Sequence, residues 1–468
     1  MRFTQVKKLS TAEAFLAHLD ALGVSIPFDG VVDPTGPLAE PVEVWDGSAG
    51  VLRSANGFAV LPMEGWDAAA DGRPTDLVRR RWQRFATSGC GLVWGEATAV
   101  RPDGRANPNQ LVLDATTVDD IAELRRTLGP GQVAGLQLTH SGRYSRPEGQ
   151  PAPRTAYEHP LLDRRTGAGA AEVLADDELD ELVERYVEAA VLARQAGFDF
   201  VDVKHCHGYL LHELLSAIDR PGRYGGDLRG RTTFLRTVVA GIRARVPDLA
   251  VAVRLSVFDL VPHAAGEGGV GLPEGEGPYR YAFGGDGTGL GIDLGEAHEL
   301  LDIIEDLGIG LVSTTAGSPY YTPHVQRPAY FPPSDGYQPP EDPLVGVARQ
   351  LAATAELAVR HPGLTIVGSG YSYLQEWLPQ VAQAVVRTRG ASMIGLGRMV
   401  LSYPDLAGDV LAGRPLQGRL VCRTFSDCTT APRNGLVSGC FPLDPFYKDH
   451  PQRVALTQAK QAAKARLR

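Results

Sequence analysis

Five residues equipped for chemistry, Lys204, His205, Cys206, His207 and Tyr209, stand close together inside Phe200-Val-Asp-Val-Lys-His-Cys-His-Gly-Tyr-Leu-Leu211. An ammonium and an imidazole can hold or polarise an electron-rich oxygen, and a phenol can deliver a proton. Phe200 to Val203 reads as a short buried strand that runs straight into them. An α/β barrel places its active site at the carboxyl ends of its strands, which gives such a crowd a purpose. A structural alternative stays open: Lys204 pairs with Asp202 or Glu96, and Tyr209 packs under the following helix.

Polar residues recur at the ends of other apolar runs. Met63 and Glu64 follow one, Glu96 and Thr98 a second, Gln137 and His140 a third, and Arg254 ends another. Two Gly-rich turns, Gly368-Ser-Gly370 and Gly395-Leu-Gly-Arg398, follow the last two runs. Backbone N–H groups and a guanidinium at such turns make a phosphate cradle, where barrels commonly hold one.

The elements that must position these groups alternate regularly. Strands are expected at 57–61, 92–97, 133–138, 200–203, 249–255, 310–314, 364–367 and 392–396. Helices are expected at 75–88, 117–128, 176–197, 232–246, 297–307, 343–360, 374–386 and 404–412. Asp176 reads as the N-cap of the third helix, and Ser10-Thr-Ala-Glu13 as a capping box opening a short N-terminal helix. Strands apolar on both faces, alternating with helices through eight units, predict an α/β fold, a closed (β/α)8 TIM barrel. An open doubly wound sheet is the alternative. The expected division is an N-terminal extension over 1–48, a barrel over 49–420 and a C-terminal tail over 421–468. Long loops at 141–175, 257–294 and 316–342 would overhang the mouth, the last as an aromatic wall with Tyr320, Tyr321, His324, Tyr330, Phe331 and Tyr337.

Composition narrows the classes. The net charge is −9 with no basic block, which argues against nucleic acid and anionic membrane as partners. No apolar run is long enough to cross a bilayer, and five cysteines in 468 residues are no disulfide framework, so a cytoplasmic location is expected.

In order and spacing, these stretches resemble the Old Yellow Enzyme family of FMN-dependent oxidoreductases, in its longer dienoyl-reductase-like branch. The resemblance runs from about residue 53 to 405, through Asn56-Gly-Phe-Ala-Val-Leu-Pro-Met63, Glu96-Ala-Thr98, Gln137-Leu-Thr-His-Ser-Gly-Arg143, His207-Gly-Tyr-Leu-Leu211, Arg223-Tyr-Gly-Gly226, Val253-Arg-Leu-Ser256 and Gly397-Arg398. It implies FMN across the barrel mouth. Pro62, Met63 and Ala97 would line the ring, Gln137 would bond its pyrimidine edge, and Arg254 would offset charge near N1 and O2. Gly370, Gly397 and Arg398 would hold the phosphate. NADH or NADPH would supply hydride for a small-molecule acceptor, a double bond conjugated to a carbonyl, with Tyr209 as proton donor. A homo-oligomer enters by analogy. The family usually carries His-x-x-His or His-x-x-Asn at the fourth strand end; here Lys204-x-x-His207 stands instead, and His205 falls between.

Cys422, Cys428 and Cys440 fall one short of the four thiolates that the longer branch uses for an iron–sulfur cluster. A structural tail without metal, ending in a basic helix from 451 (Lys460, Lys464, Arg466, Arg468), is the expectation. Two rivals remain: a Schiff-base lyase with Lys204 as nucleophile, and a flavin-holding redox protein without small-molecule turnover.

Overall fold

The computed structural model describes residues 3–275 and 277–466, so Arg468 lies outside the described residues. Eight parallel strands close into a barrel: β3 (Phe58–Val60), β4 (Leu92–Ala99), β5 (Val133–Thr139), β6 (Phe200–Val203), β7 (Ala250–Ser256), β10 (Leu311–Thr315), β11 (Thr365–Gly368) and β12 (Met393–Leu396), which returns to β3. Among the described residues, two short hairpins complete the strands, β1 (Val42–Asp46) with β2 (Gly50–Ser54), and β8 (His263–Ala265) with β9 (Gly271–Pro273). The TIM barrel is the fold the alternation predicts, with every barrel strand shifted by no more than two residues at either end. No helix among the described residues is long and apolar enough to cross a membrane.

The helices follow the apolar faces. The helix Pro343–Arg360 occupies its predicted span, and Asp176–Gln195 buries Leu179, Leu182, Val183, Tyr186 and Ala190 against the sheet. Two caps differ from expectation. Thr11, not Ser10, accepts the capping hydrogen bond, from Ala14 N–H. Ala175 is the N-cap of the long helix, while Asp176 accepts from Arg220 and from the Arg223 N–H, so a distant loop wins its carboxylate. The helix expected at 374–386 is a 3-10 stretch, Tyr371–Trp377, followed by Leu378–Arg387, because Pro379 suits only the start of the regular helix.

The β1–β2 hairpin is absent from the sequence expectation, which drew a boundary at 48, inside its turn. It caps the amino ends of the barrel strands. Gly47 N–H donates to Gly308 O (2.8 Å), Thr365 Oγ1 to Glu43 O (3.2 Å), and Asp46 pairs with Arg243. Val44 joins Leu61, Trp94, Phe200, Val367 and Met393 in the barrel interior. There Trp94 and Phe200 meet edge to face at 5.0 Å. Gly135 makes room for the Phe200 ring, and a Cβ at that position would overlap it. Gly135→Ala is therefore expected to destabilise the fold by about 1–3 kcal/mol, read as a lower urea midpoint at unchanged slope.

Candidate functional site

A cavity of about 240 Å³ opens at the carboxyl ends of the strands. Pro62, Met63, Gln137, Lys204, His207, Tyr209, Arg254, Gly370, Gly397 and Arg398 all line it, although they come from six different strand ends. Ala97 does not. A register shift between Gly95 and Ala97 against β5 turns it into the wall, where it is 1% exposed and its carbonyl accepts from Gln110. Cys206 is buried, and His205 points away with Nδ1 on Val203 O at 2.7 Å.

Lys204 pairs with neither Asp202 nor Glu96. Asp202 accepts from Gln137 Nε2 (2.5 Å), Trp94 Nε1 (2.9 Å) and Arg254 N–H (2.8 Å), and Glu96 accepts from Arg81 (3.0 Å). The Lys204 ammonium lies 3.7 Å from the centre of the Tyr209 ring, a cation–π contact. Burial pushes its pKa below the ordinary 10.5, against the pull of Cys206 and Glu64. His207 adopts a left-handed φ of +68°, a cost that a side chain other than glycine accepts only where neighbours fix it. Its N–H donates to Ser256 Oγ (3.2 Å), and its carbonyl accepts from Ser318 Oγ (2.9 Å). The ring then faces the cavity beside Gln326 (3.2 Å) and Thr315 (3.5 Å). Burial first, then the Arg254 and Lys204 charges, hold this imidazole neutral well below 6.5. Tyr209 caps the helix Leu210–Leu215, and its hydroxyl meets Glu64 and Tyr320, each at 3.1 Å.

Asp202 links the next two groups. It orients the Gln137 amide and holds the Arg254 backbone, while burial raises its own pKa to about 6. Arg254 Nη1 donates to Pro62 O (3.2 Å), and its Nε is buried without a partner. Farther along, Arg398 Nη2 donates to Pro328 O (2.8 Å), leaving Nη1 unsatisfied. Arg327, on the loop after β10, bonds Thr429 and leaves Nη2 unsatisfied. Burial, with Arg398 and Arg433 close by, lowers its pKa to about 9.

Sequence reasoning missed Arg327, Thr429 and Arg433, and it assigned no role to Glu64. The tail is a wall of the cavity as well as a structural element. Cys428, Thr429, Pro432, Arg433 and Ser438 line it. The tail reaches the mouth by docking on the aromatic loop, through Ser426 Oγ to Phe331 O (2.6 Å), Arg433 to Asp335 (2.8 Å), and stacked Phe331 and Phe425. Of that loop, Tyr320 faces the cavity, whereas the Tyr321 hydroxyl is held by Asp259 (2.6 Å) and His324 bonds Tyr337 (2.6 Å). Cys422, Cys428 and Cys440 are free thiols. Among the described residues, one group of candidate metal ligands gathers within 4.8 Å, and it is Asp302, Glu305 and His361 at the amino end of the barrel, away from this cavity.

Residues 52–268 match the model of the NADH:flavin oxidoreductase / NADH oxidase family. An NADPH dehydrogenase of Bacillus subtilis is 26% identical over 341 residues, covering 72% of this chain and 84% of the relative. A metal reductase of Desulforamulus reducens is 27% identical over 382 residues, and there the match spans only 48% of the relative's length. Among solved structures, an old yellow enzyme homologue from Zymomonas mobilis shares the fold at a TM-score of 0.56 and 21% identity, over 81% of this chain and 94% of that one. A 2-naphthoyl-CoA reductase complex does so at a TM-score of 0.67 and 18% identity, with 89% of this chain and 58% of that one covered. The matched segment carries four of the six strand ends that line the cavity, from Pro62 through Arg254, while Gly370, Gly397 and Arg398 lie beyond it. Over residues 52–268 the chain is similar to the NADH:flavin oxidoreductase / NADH oxidase family, and its barrel shares the fold of the old yellow enzyme homologue.

Proposed function

We propose that this chain binds FMN at the barrel mouth and is an NAD(P)H-dependent reductase of double bonds conjugated to a carbonyl. The observation that carries the reading is that, of the six basic side chains lining the cavity, Arg81 and Arg433 are in ion pairs, whereas Lys204, Arg254, Arg327 and Arg398 are in none with a carboxylate among the described residues. Buried cations without partners are costly unless an anion completes them. The donor set fits a flavin mononucleotide: two guanidiniums with unsatisfied nitrogens at one end, and an oriented amide and a third guanidinium at the other. The glycine turns fit as well. Gly370 has φ +97°, and a Cβ at Gly397 would point into open space.

FMN held there would supply the hydride-transfer chemistry between NAD(P)H and the acceptor. The chain's own residues supply placement and charge. Arg327 and Arg398 would hold the phosphate with Gly370 and Gly397, while Pro62 and Met63 would support the ring. Gln137 would bond the pyrimidine edge in the orientation Asp202 imposes. Arg254, fixed on the Pro62 carbonyl, would offset negative charge there. On the acceptor side, Lys204 supplies a positive charge and neutral His207 a hydrogen bond to the carbonyl oxygen, an oxyanion-type contribution of a few kcal/mol. Tyr209 would protonate the carbon next to the one that receives hydride. In this reading the extension ends before the β1–β2 hairpin, which caps the FMN barrel, and the tail after 420 walls its cavity.

The absorption spectrum of the purified protein is the first test, followed by identification of the released flavin. A yellow protein bleached anaerobically by NADH or NADPH, and restored by a 2-enone, is expected. A colourless protein that refuses FMN but is trapped on Lys204 by a carbonyl compound and borohydride would establish the lyase instead. Bleaching without recovery by any acceptor would leave a redox carrier.

A further inference from the structure

We infer that Glu64 is the positioning residue that decides where the Tyr209 hydroxyl aims its proton and that reprotonates it after each turnover. The inference rests on Tyr209 being the proton donor proposed above. Glu64 is held on both sides. Its Oε1 accepts from Trp66 Nε1 (3.1 Å) and Asn107 Nδ2 (3.3 Å), which leaves Oε2 for the Tyr209 hydroxyl at 3.1 Å. Tyr320, the phenol's other neighbour at 3.1 Å, is fixed by stacking on Tyr144 with centroids 3.9 Å apart.

A phenol has one proton, so the charge on Glu64 sets its direction. A carboxylate at Glu64 can only accept. The Tyr209 O–H then points at Oε2 and presents no proton to the cavity. A carboxylic acid at Glu64 donates Oε2–H to the phenol oxygen and frees the Tyr209 proton for the acceptor. The transfer balances as two linked steps. The Tyr209 O–H bond breaks as the acceptor's C–H bond forms, and Oε2–H then passes to the phenolate. The resulting Glu64 carboxylate regains a proton from water in the cavity. Lys204, on the face of the Tyr209 ring, stabilises the transient phenolate.

The groups facing Glu64 favour the acid form. Burial raises its pKa, and Glu96 on β4 adds to the rise, while Lys204 from the end of β6 and the hydroxyl of Tyr209 oppose it. Tyr320 approaches from the loop after β10. Acceptor reduction should therefore slow as pH rises through the ionisation of Glu64.

Glu64→Gln tests this, because an amide still donates to the phenol oxygen but cannot surrender a proton. Pre-reduced protein mixed with a 2-enone is expected to lose that pH dependence, and steady-state turnover to fall about tenfold or more. A second readout needs neither flavin nor acceptor. Burial and then the Glu64 charge raise the Tyr209 pKa, so the variant's Tyr209 should ionise at lower pH. Ultraviolet titration against the matching Tyr209→Phe proteins isolates that signal. A wild-type pH profile together with an unmoved Tyr209 titration in Glu64→Gln would overturn the assignment. If Tyr209→Phe reduces acceptors at the wild-type rate, the proton-donor reading itself is wrong. If Tyr209→Phe is slow while Glu64→Gln keeps the wild-type profile, only the role of Glu64 falls.

Discussion

Replacing Arg327 and Arg398 together with alanine is expected to weaken FMN binding by at least about a hundredfold while leaving riboflavin binding nearly unchanged. Each guanidinium keeps one nitrogen engaged, Arg398 on Pro328 O and Arg327 on Thr429, and each has another buried and unsatisfied. A hydrogen bond to a charged group contributes about 1.5–3 kcal/mol, and about 1.4 kcal/mol is tenfold in affinity, so two such groups account for the expected loss. Riboflavin lacks the phosphate and serves as the internal control. Fluorescence titration of the flavin-free protein with each ligand measures the difference. The same double substitution should raise the stability of the flavin-free protein, since burial and their mutual repulsion lower the pKa of Arg327 and burial lowers that of Arg398. Equal losses for FMN and riboflavin would show that these arginines shape the cavity instead of gripping a phosphate.

Lys204→Met is expected to move stability and activity in opposite directions. Lys204 is 4% exposed, and its ammonium touches the Tyr209 ring and has no carboxylate partner among the described residues, so an apolar chain of similar length should stabilise the fold. Acceptor reduction should fall about a hundredfold, the usual scale for losing one electrostatic contact to a developing negative oxygen. The stability gain carries a pH signature. The pKa of Lys204 is lowered in the folded state, so between that value and 10.5 the unfolded chain binds more protons and wild-type stability rises with pH. The advantage of Lys204→Met should be largest below the folded-state pKa and vanish as the pH passes 10.5, as followed by urea denaturation. If the substitution destabilises the fold at neutral pH and leaves kcat/KM intact, Lys204 is a structural residue.

Most of the site's floor could be read from the chain because it is local to strand ends. Gln137, Lys204, His207, Arg254 and Arg398 each follow or end an apolar run whose period marks a buried strand, and closing eight such strands brings those ends to one rim. The β1–β2 hairpin was invisible for the opposite reason. Its five-residue strands sit among Pro and Gly, and Val44 is buried only because the barrel's open amino end receives it.

The sequence by itself determined the barrel, the order of its strands and the residue types at each strand end, since these follow from local hydrophobic periodicity and turn chemistry. Only the tertiary structure decided which charges stay unpaired and what roofs the cavity. That Asp202 turns to Gln137 and Trp94 and leaves Lys204 free depends on neighbours more than sixty residues away. That Arg327 meets Arg398 and Thr429 depends on a tail folding back over the loop after β10. Pairing of buried charges is settled by packing between distant segments, and the spacing of residues along the chain carries no record of it.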